Sequence, residues 1–436
     1  MLLLFTFTSA SNAVQWIQFA IITEPVMRFY GVSADDVNWT SMIYMVTYVP
    51  LVFPAAWLLD RMGLRVCVTL GAMGTCAGAS LKAFAAEPWL WSLAFAGQAI
   101  TAMSQTCLLG VPARLAAVWF PSTELASATA VGVFGNQLGI AVGFLVPPFL
   151  VHNETNVDDM RPQLHLLFAS TAVVTGALLL LVILLFRAAP DGSPPPPEEP
   201  VSLGDFASGV RRLMTHRNFL LLLVAYALNV GSFYAVSTLL GQAVAARVDD
   251  SAEHAGVLGL VMVVAGMLGS VICGVILDRT RKYKEVTLAV YVMSLVGLIL
   301  YAGALASRSL GYLYFASISL GFFMTGYLPL GFELAAELTY PEPEGTSSGL
   351  LNAGAQLGGL AFTPAYAALL DSSGDLWANA GLCAALALGM GVSVLLLRAD
   401  LLRQRALHPP APAGDDPALA PAPDHLAPGL DKRLSP

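Results

Sequence analysis

Long apolar runs separated by short clusters of charge dominate the chain. Runs 166–186, 257–277, 286–307, 309–332 and 376–397 contain no Asp, Glu, Lys or Arg. Seven further runs, 1–23, 38–59, 66–81, 88–113, 125–151, 218–246 and 345–370, are nearly as apolar. About 20 such residues cross a hydrocarbon core of roughly 30 Å, so the pattern predicts an all-α polytopic membrane protein with twelve transmembrane helices. The run 66–81 is short, and its flanking Arg65 and Lys82 are expected to snorkel to the two interfaces. The first run lacks a basic leader and an adequate signal-peptide core, and reads as a span whose preceding tail lies outside this chain. Two pieces stay outside the membrane. Residues 188–217 pass from a proline-rich segment into an amphipathic stretch at 203–212, and the Pro/Ala-rich residues 399–436 are left without structure. The expected organisation is a six-helix bundle over 1–187, a linker over 188–217, a second bundle over 218–398 and a tail.

Composition narrows the function classes. The chain is 56% hydrophobic and 11% charged, against about 25% charged in soluble domains. A net charge of −8 offers no basic surplus for nucleic acid. The five cysteines lie in apolar runs without CxxC or metal-ligand spacing, so no disulfide framework, metal or cofactor is expected. No intramembrane Ser–His, His–Asp or paired carboxylate marks an enzyme. With the N-terminus inside, every Lys and Arg except Arg28, Lys82, Arg161, Arg247 and Arg308 falls on the inner side. That asymmetry places both termini in the cytoplasm. The sequon Asn153-Glu154-Thr155 then faces outward between spans five and six as a glycan acceptor. Asn38-Trp39-Thr40 also matches but sits at a span boundary.

The chain repeats itself at half its length. Asp60 and Arg61 with Arg65 follow the second span, as Asp278 and Arg279 with Arg281 follow the eighth, and the two aspartates are 218 residues apart. The GNQLG at 135–139 corresponds to GAQLG at 354–358, and LAA at 115–117 to LAA at 334–336. Two six-span halves with such a charged turn resemble the major facilitator superfamily, in which that turn forms cytoplasmic gating contacts. The first copy has Ala56 where a leading glycine is usual, and the second has Thr280 at a later glycine position.

Polar groups inside spans are expensive and mark function. Here mid-span carboxylates and histidines are missing, which argues against proton relay and for facilitated diffusion. Ser9, Asn12, Trp16 and Phe19 share one helical face of span one. Span seven carries Tyr226, Asn229, Phe233 and Tyr234. Trp16 and Tyr234 are again 218 apart, and Trp16 lies about 12 Å along the helix from Glu24. Two facing aromatics without a carboxylate suit a weakly hydrated organic cation, held by cation–π attraction of about 2 kcal/mol when desolvated. Gln105, Gln137 and Gln356 are amides able to hydrogen-bond its hydroxyl; as structural groups they would bridge helices instead.

Longer strings carry a closer resemblance. NAVQWIQ at 12–18, NWTSMIY at 38–44, VFP at 52–54, GNQLG at 135–139, FYAVST at 233–238, GFFMTGYLPL at 321–330 and GTSSGLLN at 345–352 are similar to the feline leukaemia virus subgroup C receptor family. MRFYGV at 27–32 and NVG at 229–231 side with its second member. The resemblance implies transport of choline and ethanolamine across the plasma membrane by a monomer, with the ammonium between Trp16 and Tyr234 and with Gln105 and Gln356 beside it. It also brings two alternatives, a haem carrier and a non-transporting receptor for a viral envelope protein. The six histidines (152, 165, 216, 254, 408 and 425) lie in loops, tails or span ends, which gives haem little to bind.

Overall fold

In the computed structural model the described residues are 1–121, 124–154, 156–190, 203–247, 251–342, 344–398 and 401; side chains are described within them except at 60, 125, 126, 203–206 and 251. The tail expected over 399–436, apart from residue 401, and most of the proline-rich segment lie outside these residues. Regular structure among the described residues is helical. The first half comprises α1 (Leu2–Ile17), α2 (Thr23–Tyr30), α3 (Ala34–Phe84), α4 (Trp91–Leu109), α5 (Val111–Trp119), α6 (Leu125–Leu150) and α7 (Val157–Leu185). A short helix α8 (Leu203–Thr215) leads to α9 (Arg217–Ala245), α10 (Ser251–Thr280), α11 (Tyr283–Ser307), α12 (Leu310–Thr339), α13 (Glu344–Ser373) and α14 (Asp375–Leu396).

Among the described residues nine stretches are long and apolar enough to cross a membrane, two of them within α3. The helices α1, α4 and α13, shorter or more polar, complete the twelve. Spans two and three are joined without a loop and fold back on each other at Gly63, whose φ of 77° and ψ of 177° suit glycine alone, so that Thr40 and Lys82 meet the same Gln98.

The repeated glycine motif sets how each half packs. A side chain at Gly135, Gly139 or Gly143 of α6 would meet the α1 backbone at Thr6, Ala10 or Val14. One at Gly358 of α13 would meet Ala227 of α9, and one at Gly231 of α9 would meet Gly358. Small residues let helix backbones approach where lipid supplies no hydrophobic drive. The first and seventh spans are therefore each seated against a glycine-bearing partner.

The first span is not the single helix that the apolar run suggests. It stops at Ile17, turns through a 3₁₀ segment at Ala20–Ile22 and resumes as α2. Everything from Gln15 to Thr23 is buried, so the break lies inside protein, where irregular backbone is tolerated at membrane depth.

Contacts between the halves cluster at the end bearing Asn153 and at mid-depth. Near Asn153, Gln242 of α9 donates to Asn38 Oδ1 at 2.7 Å and to Thr23 Oγ1 at 3.3 Å. Gly241 packs on the Ile21 carbonyl, and Gly256 and Gly259 of α10 on Phe144 of α6. Toward the other end, no residue from Val49 to Leu58 of α3 is buried, and Gly345 and Gly349 of α13 face open space. The bundle is closed at the Asn153 end and parted at the opposite one.

Candidate substrate site

Trp16 occupies the last turn of α1, and Tyr234 the middle of α9. Their ring centroids are 5.7 Å apart with planes at 76°, an edge-to-face pair that joins the two halves. Three more side chains gather there. Met45 and Tyr234 both lie against Gly359, the only width of side chain that fits between them. Tyr48 of α3 lies near Tyr234 and beside the amide of Asn352 on α13. The surroundings are thus aromatic, thioether and amide. Met45, Tyr48, Asn352 and Gly359 were not singled out from sequence; Tyr48 and Met45 look like ordinary apolar-run residues until α3 is placed against α13.

The three glutamines share a common state. Gln105, Gln137 and Gln356 are each half-buried. Gln137 and Gln356 sit at matching positions of the glycine motif, one residue before Leu138 and Leu357, both exposed.

Asn12 departs from the expected binding role. Its amide nitrogen turns toward Thr75 Oγ1 at 2.9 Å, the Thr101 carbonyl at 3.1 Å and Ser104 Oγ at 3.2 Å. It ties α1 to α3 and α4 and is not brought to the rings. Phe19 similarly turns into the first half, against Trp91 and Phe168. The stripe Ser9–Asn12–Trp16–Phe19 splits because α1 ends at Ile17, which takes Phe19 off the helical face, while Asn12 is drawn to α3 and α4.

Lys82 is a second correction. It is 1% exposed and does not snorkel. Its Nζ donates to Gln98 Oε1 at 2.8 Å and lies 5.7 Å from the Phe19 ring centroid. Gln98 in turn donates to the Gln15 carbonyl at 2.7 Å and the Thr40 carbonyl at 3.1 Å.

The Asp60 side chain lies outside the described residues. The Arg61 guanidinium stacks over Trp57 at 5.3 Å, and Arg65 donates to the Ile183 carbonyl at 3.3 Å. Asp278 and Arg279 are exposed, and Arg281 has a left-handed φ of 54° at the end of α10. At the other end, Asn153 is exposed and its amide donates to Glu24 Oε2 at 3.0 Å; Thr155 of its sequon lies outside the described residues. Above the Gln242 contacts a cavity of about 500 Å³ is lined by Thr23, Glu24, Gln242, Arg247, Asp371 and Asp375 among others. His216 caps α9 by accepting from the Phe219 amide, and His254 pairs with Tyr314; both rings are already occupied.

Residues 2–363 match the Major Facilitator Superfamily. "Choline/ethanolamine transporter flvcr2b" of Danio rerio is 47% identical over 92% of this chain and 84% of its own length. "Choline/ethanolamine transporter FLVCR2" of Homo sapiens is 44% identical, covering 93% of this chain and 78% of its own. "Choline/ethanolamine transporter FLVCR1" of Felis catus is 42% identical over 92% and 73%. Among solved structures, a D-xylose-proton symporter aligns with a TM-score of 0.72 at 12% identity, over 92% of this chain and 97% of its own. A bacterial homologue of the lysosomal transporter Spinster aligns at 0.65 and 15%, over 91% and 94%. These two likenesses concern the fold alone.

Proposed function

Because the chain belongs to the major facilitator superfamily and, within it, to the feline leukaemia virus subgroup C receptor family, we propose that it carries choline, and with it ethanolamine, down a gradient across the plasma membrane. It is a multi-pass membrane transporter and not an enzyme. The observation that carries the substrate reading is the Trp16–Tyr234 pair. Two nearly perpendicular rings, one from each half, make two walls of a corner. A quaternary ammonium entering it would lose water and gain attraction to ring faces. Met45 and Tyr48 add polarisable and aromatic surface, and an unoccupied amide at Gln356 or Gln105 would take the hydroxyl of choline or its equivalent.

The transport cycle follows from where the rings sit. Each belongs to a different half, so a ligand touching both reports on their relative position. With the Lys/Arg-rich end inside, closure at the Asn153 end and parting at the Gly345 end correspond to an inward-open state. Alternating access would exchange the Gln242–Asn38 contacts for contacts at the opposite end. Facilitated transport without coupling is supported by the aromatic, thioether and amide groups that gather at the rings.

The test is radiolabelled choline uptake by cells expressing the chain, with Trp16→Ala and Tyr234→Ala at matched surface levels. Saturable uptake lost in both variants, and competed by ethanolamine in the native protein, is the expected result. Robust uptake in both variants would remove the ring site, and uptake at background in the native chain would remove the substrate.

A further inference from the structure

Lys82 has no role in the transport reading, yet its position is difficult to explain as packing alone. Burying an ammonium without a compensating partner is costly, and its hydrogen-bond partner is an amide, Gln98 Oε1, rather than a carboxylate. The compensation lies in the end of α1. A helix leaves the carbonyls of its last turn without intrahelical donors, and its carboxyl end carries about half a negative charge. Because span one breaks at Ile17, such an end exists inside the protein, where water cannot serve it. Two of its carbonyls are answered by side chains: Gln15 by Gln98 Nε2 at 2.7 Å, and Trp16 by Ser41 Oγ at 3.1 Å. Lys82 fixes the Gln98 amide the right way round, since donating to Oε1 leaves Nε2 for the carbonyls. It also brings a cation to the negative end of the helix and to the ring of Phe19, the second residue beyond it.

We infer that Lys82 is a positioning residue for Trp16: through Gln98 it holds the carboxyl end of α1, and so fixes the ring offered to the substrate. The inference rests on the proposed substrate site only for its transport consequence; the holding of the ring is a separate matter and is tested separately.

The full chain, purified with 5-fluorotryptophan at its seven tryptophans, gives fluorine resonances of which Trp16→Phe identifies one. In Lys82→Met that resonance splits or broadens by at least about twofold while the others keep their widths, as loss of a local restraint demands. Lys82→Arg, which keeps a cationic donor, returns a single line. Lys82→Gln, uncharged and less demanding of space, carries the same measurement if Lys82→Met does not reach the membrane. An unchanged Trp16 line in the uncharged variants overturns the inference, and so does equal broadening of every line, which is loosening of the whole bundle. In the uptake arm, Lys82→Met raises the choline KM about tenfold with kcat held within about twofold, the pattern of lost binding. A disturbed Trp16 line with an unchanged KM leaves the clamp standing and counts against Trp16 as a wall of the substrate site.

Discussion

The first and seventh spans occupy matching places in the repeat, but they solve the same problem differently. α9 runs without interruption from Arg217 to Ala245, so Tyr234 is carried by continuous backbone hydrogen bonds. α1 ends one residue beyond Trp16 and continues only after a 3₁₀ turn. Its ring is placed by side chains reaching in from α3 and α4. Several polar groups around α1 are accordingly paired, Asn12 Nδ2 with Thr75 and Ser104, Gln98 with Gln15 and Thr40, and Lys82 with Gln98, while the buried Gln18 amide and Asn12 Oδ1 have no partner among the described residues. A helix in continuous register needs no such support, whereas a broken one in a dry interior frees carbonyls that other groups must answer, as Gln98 and Ser41 answer those of Gln15 and Trp16. The comparison teaches that a near-symmetric pair of rings rests on one stiff support and one assembled support.

The largest expected effect comes from removing either ring. Trp16→Ala and Tyr234→Ala should each lower choline kcat/KM by about 30-fold, the equivalent of a cation–π contact of about 2 kcal/mol. Trp16→Phe and Tyr234→Phe sharpen the comparison. If α9 is the stiffer support, Tyr234→Phe retains most uptake, and the Trp16 exchange costs more because its smaller ring also loosens the turn. Next come the glycine seams. Gly139→Ala collides with the Ala10 carbonyl and Gly358→Ala with that of Ala227, so each should destabilise the detergent-solubilised protein by about 1–3 kcal/mol. Gly345→Ala, which meets nothing, leaves the melting temperature unchanged. Similar losses at Gly139 and Gly358 would mean that the two halves share one packing rule despite their different first helices.

Opening the closed end is a smaller change. Gln242→Leu removes two hydrogen bonds between the halves, worth about 1 kcal/mol each. It should increase labelling of Ala20→Cys by an impermeant thiol reagent several-fold. The smallest effect concerns α8. Arg212 holds the Glu342 carboxyl below the usual carboxylate range, and the pair sits outside the spans with Arg212 largely exposed. A carboxyl depressed on folding contributes stability that is present above its ordinary value of about 4.3 and lost as pH falls through the lower folded value. Exposure keeps the contribution below about 1 kcal/mol. Proteolysis of the 203–215 segment should therefore rise modestly on acidification, and Glu342→Gln should be cleaved at the acid rate at every pH.

The architecture was legible because membrane crossing imposes a length and a polarity on every span, and those are written into each apolar run. The Trp16–Tyr234 encounter was legible too, since a common offset in the repeat equates their depths. Side-chain direction was not. Asn12 and Lys82 were misplaced because an amide or an ammonium in an apolar run carries no mark of whether it faces a cavity, an interface or a neighbouring helix. The break at Ile17 was hidden for a related reason. No proline or glycine interrupts residues 15–23, and the turn is stabilised by Gln98 and Ser41, remote positions whose hydrogen bonds leave no trace in the local pattern. Met45 and Tyr48 enter the site only through the packing of α3 on α13.

The bend at Gly63 bears on how the first half can move. With one residue of non-helical backbone between the second and third spans, there is no slack for either to shift along its axis without the other, and a linker or epitope inserted at Gly63 would uncouple two motions that the native chain performs as one.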